Sequence, residues 1–495
     1  MSYEQDLIVI GAGPAGISAA ITASRHGLKV TLIDDAPIAG GQIYRATPKE
    51  WTQNASSSAY QDLDDGNALR DLLSNSNVTH LTNHVVWAVA PGFQVRAVSV
   101  SKEIKLSAKK LIVCSGVTER ILPFPGWTTP GVIGLAASTN LLKSQQILPG
   151  REPVIAGSGP LLYAVANAII VAGGKPTAIV DLGSLVDWIV SLPKLLTAPA
   201  LLFRGLLWRA RIFKARIPVL HRHHVARVYG DDQVETIELT PIDANGTPLP
   251  KKKNIKFKSA SLVVGHGLIP SVEITRLLKV KHLYRAERGG WIPEIDAFQR
   301  TSVPGLYVAG DCGGISGAKT AALSGTIAGL RASFDSDMIS GKTFQDLYSL
   351  TESKRNKAEH FGKQMGKLMS IRSNLLEGLT PDTIVCRCED ITYGQIMGAV
   401  SAGAADCNEV KAWTRAGMGP CQGRTCGETI AEIVSRQVGD RDKAGFFTAR
   451  VPLRPCTIDA LAPICSYDDI WNSDVAKVAT AILPAENTEY KKRQK

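Results

Sequence analysis

No Cys-x-x-Cys pair occurs anywhere in the 495 residues, so the dithiol chemistry that such a pair supports is excluded. Nor do the nine cysteines, spread along the chain, suggest a disulfide framework. No uninterrupted apolar run reaches the about 20 residues that a membrane-spanning helix needs. The most apolar stretch, 185–213, is broken by Asp187, Lys194, Arg204, Arg209 and Arg211 and by Pro193 and Pro199, which leaves an amphipathic surface or a subunit interface. A secretion signal is also missing: Met1 runs almost directly into the strand-like Asp6-Leu-Ile-Val-Ile10, with no basic segment or cleavage site. The expectation is a cytoplasmic protein, peripheral at the inner membrane at most. No nucleophile with a nearby base, no acid–base pair and no hydrolytic metal constellation is recognisable, so no residue is assigned a catalytic role.

The chain is 44% hydrophobic and 20% charged, too apolar for disorder and too long for one compact domain. Forty-five glycines against 26 prolines exceed the usual glycine share of ~7% and point to glycine-bearing loops. The balance of 56 Lys and Arg against 45 Asp and Glu leaves +11. Lys251, Lys252, Lys253, Lys256 and Lys258 follow a turn signal at Asp243-Ala-Asn-Gly246 and read as a solvated hairpin, whereas Lys491, Lys492, Arg493 and Lys495 read as a loose end. No nucleic-acid partner is expected, and the charge points to a protein partner or a membrane edge.

Residues 6 to 35 read as strand, glycine turn, helix and strand. In Gly11-Ala-Gly13-Pro14-Ala15-Gly16, Gly11 permits the tight turn, Gly13 lets backbone approach a pyrophosphate, and Gly16 lets helix and strand pack closely. Asp34, 18 residues beyond Gly16 at the end of the next strand, is placed to accept from a ribose diol. Far downstream, Thr301-Ser-Val-Pro-Gly-Leu-Tyr-Val-Ala-Gly310-Asp311 is a short strand ending in Gly-Asp, followed by a helix from Ala318. It resembles the second flavin motif of the glutathione-reductase and thioredoxin-reductase superfamily, and Leu111-Ile-Val-Cys-Ser115-Gly116 resembles that superfamily's other internal motif, with Cys114 and Ser115 as departures. The resemblance implies FAD, with Asp311 on its ribityl chain. Gly41, Gln42, Arg45, Val86, Ser115, Gly116, Gly310 and Ala318 join the candidate contacts.

A second unit repeats the pattern: Pro153-Val-Ile-Ala156, Gly157-Ser-Gly159, an apolar helix, and Thr177-Ala-Ile-Val-Asp181. Leu162 stands where the third glycine belongs, so helix and strand lie farther apart. NAD(P), an adenine nucleotide such as ATP held for structure, or an empty remnant all remain open, with Gly157, Gly159 and Asp181 as candidate contacts.

Four of the cysteines form two tight pairs, Cys386-Arg-Cys388 and Cys421-Gln-Gly-Arg-Thr-Cys426. Four thiolates suit zinc or an iron–sulfur cluster, and spacing alone decides neither. The segments Val385–Glu389 and Thr414–Gly427 resemble the [2Fe-2S] domain of the bacterioferritin-associated ferredoxin (BFD) type, which makes Cys386, Cys388, Cys421 and Cys426 the implied ligands. Arg387, Lys411, Arg415 and Arg424 lie nearby in sequence as candidates to offset cluster charge. Cys114, Cys312, Cys407, Cys456 and Cys465 read as packing residues. His221, His223 and His224 lack a partner carboxylate and read as surface, while His266, after a strand, is a candidate to approach the flavin.

Gly40-Gly-Gln-Ile-Tyr-Arg45, Pro123-Phe-Pro-Gly-Trp-Thr-Thr-Pro-Gly-Val132, Gly265-His-Gly-Leu-Ile-Pro270 and Arg450-Val-Pro-Leu-Arg-Pro455, with the cysteine segment, resemble the alpha (A) subunits of opine oxidases. The flavoprotein subunits of hydrogen cyanide synthase and of proline or hydroxyproline dehydrogenases are similar, and heterotetrameric sarcosine oxidase is more distantly so. The resemblance implies an electron-transferring FAD/[2Fe-2S] subunit of an amine-oxidising complex. It implies a substrate-oxidising beta subunit with its own FAD, FMN at the subunit interface, a small additional subunit, and a quinone or electron-transfer protein as acceptor. A self-sufficient NAD(P)H-dependent reductase is the alternative.

The expected fold is α/β, a two-dinucleotide-binding-domain flavoprotein of the glutathione-reductase type. Its FAD domain spans 1–125 and 263–335, with a second Rossmann domain at 126–262 between. A helical connector at 336–380, a small helical cluster domain at 381–440 and a tail at 441–495 complete it.

Overall fold

The computed structural model describes residues 2–46, 63–100, 102–196, 198–370 and 372–458; the basic group at 491–495 and Cys465 lie outside them. Leu7, Ile8 and Val9 are wholly buried, because the strand Ser2–Ile10 lies between parallel neighbours Val30–Ile33 and Lys102–Val113. A strand covered on both faces reads as an unbroken apolar run rather than an alternating one. The sheet has seven strands, in the order Thr79–Leu81, Val30–Ile33, Ser2–Ile10, Lys102–Val113, Gln94–Ser99 and Val85–Ala90, and Leu306–Val308 also pairs with Lys102–Val113.

Between Val113 and Leu306 the chain builds a second sheet, all parallel, ordered Val219–His221, Ala178–Asp181, Val154–Gly157, Leu262–Gly265 and Val132–Gly134. The two crossings between sheets are tied as an antiparallel pair, Val117–Glu119 with Leu268–Pro270. Leu162, in the third-glycine position, is wholly buried among Leu135, Ile155 and Ile179, a packing role. The antiparallel strands Thr236–Pro241 and Ile255–Lys258 carry the exposed Lys251, Lys252 and Lys253 at their connection, as the turn signal predicts.

The helix Gly341–Leu368 starts from a Ser340 cap, whose side chain accepts from the Thr343 amide. It is anchored by Phe344 and Tyr348 against Phe298 and ends over the second sheet's domain. The last domain pairs Ile384–Cys386 with Ile391–Thr392 and packs the helices Tyr393–Ser401, Cys407–Thr414 and Gly427–Val438 around Ile396, Val410, Ile430 and Val434. Its core also takes Ala444 and Phe447, so residues assigned to a tail are part of this domain.

The domain is seated on the hairpin His282–Arg285/Gly290–Pro293. Arg276 lies 3.7 Å over the Phe446 ring, Phe446 meets Trp291 edge-on at 5.0 Å, and Arg441 both covers Tyr284 and bonds Glu428 at 2.7 Å. Such cation–ring layers hold best where water is excluded, and Arg276 is buried enough that its pKa falls to about 10. Among the described residues no helix is long and apolar enough to cross a membrane.

Two histidine assignments need correction. His224 is buried rather than surface-exposed, and His221 does have a carboxylate nearby, its Nδ1 standing 3.6 Å from Asp181. His266 is enclosed and accepts the Leu122 N–H at 3.2 Å through Nδ1. Burial, with His224 and Arg120 beside it, depresses its pKa to about 3; burial takes His224 to about 4. A base depressed below its unfolded value of about 6.5 binds fewer protons when folded, so its stabilisation is complete above that pH and is lost as pH falls. His266→Asn, which retains an acceptor, should therefore lower the acid sensitivity of unfolding between pH 6.5 and 4 by about one proton; urea titrations over that range measure it.

Candidate functional site

Two motifs 300 positions apart meet at one crevice. The helix Pro14–Arg25 begins at Gly13, with Pro14 preset for the first turn. Gly11 has φ +101°, and a side chain there would press a Cβ to 2.3 Å from the Cys114 carbonyl oxygen. A Cβ on Gly16 would stand 1.7 Å from the Gly11 oxygen; only glycine lets this turn close against its own helix. Gly13 is different, because a Cβ there would meet nothing nearer than the Gly41 Cα at 3.8 Å. Beyond that ordinary contact nothing crowds its backbone at the helix N-terminus, where an anionic pyrophosphate binds.

Asp34 accepts from the amides of Ala12 and Ala36, and burial raises its carboxyl above the usual range. Ala15 reaches the other motif, since a Cβ on Gly310 would stand 2.7 Å from that of Ala15. Asp311 beside it accepts from Ser316 and Gly317 at 3.0 and 3.2 Å, and burial raises its carboxyl too. Ala318 starts the helix that follows. Gly41 folds onto Gly13, and Arg45 donates to Gln42 at 3.1 Å on the same rim. Val86 packs in the core of its edge strand. Ser115 donates to the Ser271 carbonyl at 2.7 Å, and the Gly116 carbonyl accepts the Ser271 N–H, so these two residues tie the inter-domain crossing. This cradle fits FAD.

The second glycine loop is filled. Gly159 has φ +78°, and a Cβ there would stand 2.4 Å from Cγ of Met369, just beyond the long connector helix. Met369 thus lies where a pyrophosphate would approach. Asp181 is 1% exposed and accepts from Tyr163 at 2.6 Å and Gly183 at 2.8 Å; it is spent on internal bonds rather than turned to a ribose. Glu119 occupies the ends of the same strands, because a Cβ on Gly265 would meet its Oε1 at 2.7 Å. It caps the helix Leu135–Asn140 by accepting from Ala136 at 2.8 Å, and burial pushes its carboxyl up to about 7. Neither Met369 nor Glu119 carries a sequence signal, since both arrive from outside the motif they fill.

The four paired cysteines come together. Cys386 and Cys421 each interact with Cys426, and Cys388 with Cys421. Cys386 is pulled down to about 6, first by the Cys426 contact and then by the amides of Gly417, Glu389 and Cys388 against burial. Cys421 falls to about 4 through Cys426 and the amides of Thr425 and Gly423. The Gly417 N–H reaches the Cys386 sulfur at 3.4 Å. Amides aimed at sulfur suit thiolate ligands. Among the described residues no three Cys, His, Asp or Glu converge as one ion requires; the four thiols are linked in a chain, Cys386 to Cys426 to Cys421 to Cys388. Cys386 and Cys426 are buried while Cys388 is exposed, so the site has one edge toward solvent.

Arg415 pairs with Glu389 at 3.0 Å, Arg424 bonds the Cys421 carbonyl and pairs with Glu273, and Lys411 sits over Phe447. Arg387 is exposed. Cys114, Cys312 and Cys407 are buried free thiols, and Cys456 packs beside Trp87.

Residues 5–325 match the pyridine nucleotide-disulphide oxidoreductase family, and residues 384–436 match the BFD-like [2Fe-2S] binding domain. The chain belongs to the pyridine nucleotide-disulphide oxidoreductase family. Within that family it is 32% identical to the A subunit of opine oxidase from Rhizobium meliloti (strain 1021), over 93% of this chain and 98% of that one. It is 29% identical to the HcnB subunit of hydrogen cyanide synthase from Pseudomonas protegens, over 92% and 97%. The fold of L-proline dehydrogenase from P. horikoshii aligns with TM-score 0.68 and 22% identity, over 93% of this chain and 80% of that one. This oxidoreductase therefore combines a flavin-type domain with a [2Fe-2S]-type domain in one chain.

Gly11→Ala should cost about 3 kcal/mol or more through backbone strain and clash and abolish flavin retention, read from the yellow absorbance after gel filtration. Cys421→Ser should remove most of the about two irons and two labile sulfides expected per chain while leaving flavin content intact.

Proposed function

We propose that this oxidoreductase is the electron-handling subunit of a multi-subunit amine dehydrogenase or oxidase acting on an opine, a proline-type or a related amino acid. FAD is held by Gly11, Gly13, Gly16, Asp34, Gly310 and Asp311, and the [2Fe-2S] cluster by Cys386, Cys388, Cys421 and Cys426. The contrast between the two glycine loops carries this reading: at Gly13 nothing is nearer than ordinary contact with Gly41, whereas Gly159 is pressed by Met369. A chain with a flavin cradle, a thiolate nest and no open nicotinamide loop needs its electrons from a partner. Its relatives are named as components of larger enzymes, the A subunit of opine oxidase and HcnB of hydrogen cyanide synthase, which supports that partner being another subunit. In the same reading the partner carries its own FAD and oxidises the amine, FMN and a small third subunit sit at the interface, and a quinone or electron-transfer protein is the acceptor. The second nucleotide fold then serves as a structural module without NAD(P) or ATP.

When bound, the flavin and cluster supply the conversion of a two-electron donor into single-electron steps. The chain's own residues orient and enclose. Glycine-loop amides and the Pro14–Arg25 helix start neutralise phosphate. Asp34 and Asp311 offer carboxylate oxygens to hydroxyls, each already oriented by two backbone amides. The Arg276–Phe446–Trp291 layer fixes the cluster domain against the flavin domain and keeps water out between them.

In stopped-flow mixing of the complex co-expressed with its native partner, an amine substrate should bleach the flavin promptly, whereas NADH or NADPH should not. Prompt bleaching by either nucleotide would support the self-sufficient reductase instead.

A further inference from the structure

The helices Leu185–Leu195 and Pro199–Lys214 are inserted after the strand Ala178–Asp181; Trp188, Trp208 and Ile212 pack inward, yet each helix also carries a second apolar face turned outward. Leu185, Val186, Ile189 and Val190 recur at the spacing of one helical face, and all are exposed, Val190 at 72%. On the second helix Phe203, Leu206, Leu207 and Phe213 form the outward face, Phe213 at 86%. Two arginines between these residues turn back to the domain: Arg209 donates to the Tyr163 hydroxyl at 3.0 Å, and Arg211 to Asn167. Scattered exposed apolar residues are ordinary, but eight large ones on two consecutive helices are more than a surface without a partner ordinarily carries.

The charge identifies that partner. From Trp188 to Arg216 the chain has no aspartate or glutamate, and it has Lys194, Arg204, Arg209, Arg211, Lys214 and Arg216. Lys214 and Arg216 are exposed at the end of the apolar face. The one acid of 185–216, Asp187, is paired with Arg222 and Arg372, so the charges left beside these aliphatic and phenyl groups are cationic, which matches the boundary between acyl chains and anionic headgroups. Neither helix is long or apolar enough to cross, so both lie in the plane.

We propose that residues 185–216 dock this oxidoreductase on an anionic bilayer surface, with Ile189, Val190, Phe203 and Phe213 entering the acyl boundary and Lys214 and Arg216 facing lipid phosphates. The placement is independent of which amine is oxidised.

The test is co-sedimentation of the purified full complex with phosphatidylcholine vesicles, with and without phosphatidylglycerol. The complex should pellet with the anionic vesicles and be released by added salt. The variant I189E/V190E/F203E/F213E should bind at least about ten-fold more weakly while keeping flavin, iron, subunit composition and dye-reduction rate in vesicle-free buffer. The proposal is overturned if the native complex stays in the supernatant with phosphatidylglycerol, or if the variant pellets equally well. It is also overturned if the variant loses one of its partner chains or changes its gel-filtration size without vesicles, because the face would then be covered by protein.

Discussion

The direct contact of two helices, Pro14–Arg25 and Ala318–Phe334, is the constraint on which the flavin site depends. A Cβ on Gly325 would stand 2.0 Å from the Ala15 oxygen, and one on Gly329 would stand 2.6 Å from that of Ala19. Backbone lies on backbone, with no room for larger side chains. That approach sets Gly310 and Asp311 beside the Gly11 turn although an entire second domain intervenes in sequence. The amides and carboxylates of the cradle are thereby fixed before any ligand arrives, which lowers the ordering cost of binding.

The same fold occurs twice in the chain with opposite outcomes. At the first loop Gly13 meets only Gly41, at ordinary contact; at the second, Met369 presses Gly159, Asp181 is bonded to Tyr163, and the Glu119 carboxyl stands over Gly265. The second domain keeps its packing, with Leu162 closing its core. It also carries the connector's end, the inter-sheet crossing and the helix pair Leu185–Leu195 and Pro199–Lys214.

Much of the cofactor chemistry is legible in local order. Gly11, Gly13 and Gly16 between two apolar strands, Asp34 after them, and the cysteine pairs at 386/388 and 421/426 each depend on neighbours within one turn or strand, so spacing carries them. Leu162 is legible as a departure for the same reason. His224 reads wrongly as surface because its burial comes from non-local packing, and residues 441–447 read wrongly as tail because Phe447 enters the cluster-domain core only in three dimensions. Asp181 has the right position for a ribose acceptor, and only its bond to Tyr163 shows it occupied.

The sequence by itself determined the repeated strand–turn–helix units, the flavin-type and cluster-type motifs and the family, because glycine turns and thiolate pairs impose short, fixed spacings. Tertiary structure alone decided which glycine loop is uncrowded, how the cluster domain is seated through Arg276 and Phe446, and that an apolar face on each of the helices Leu185–Leu195 and Pro199–Lys214 is exposed. Each of these depends on side chains distant in sequence competing for one volume, and linear spacing carries no record of that competition.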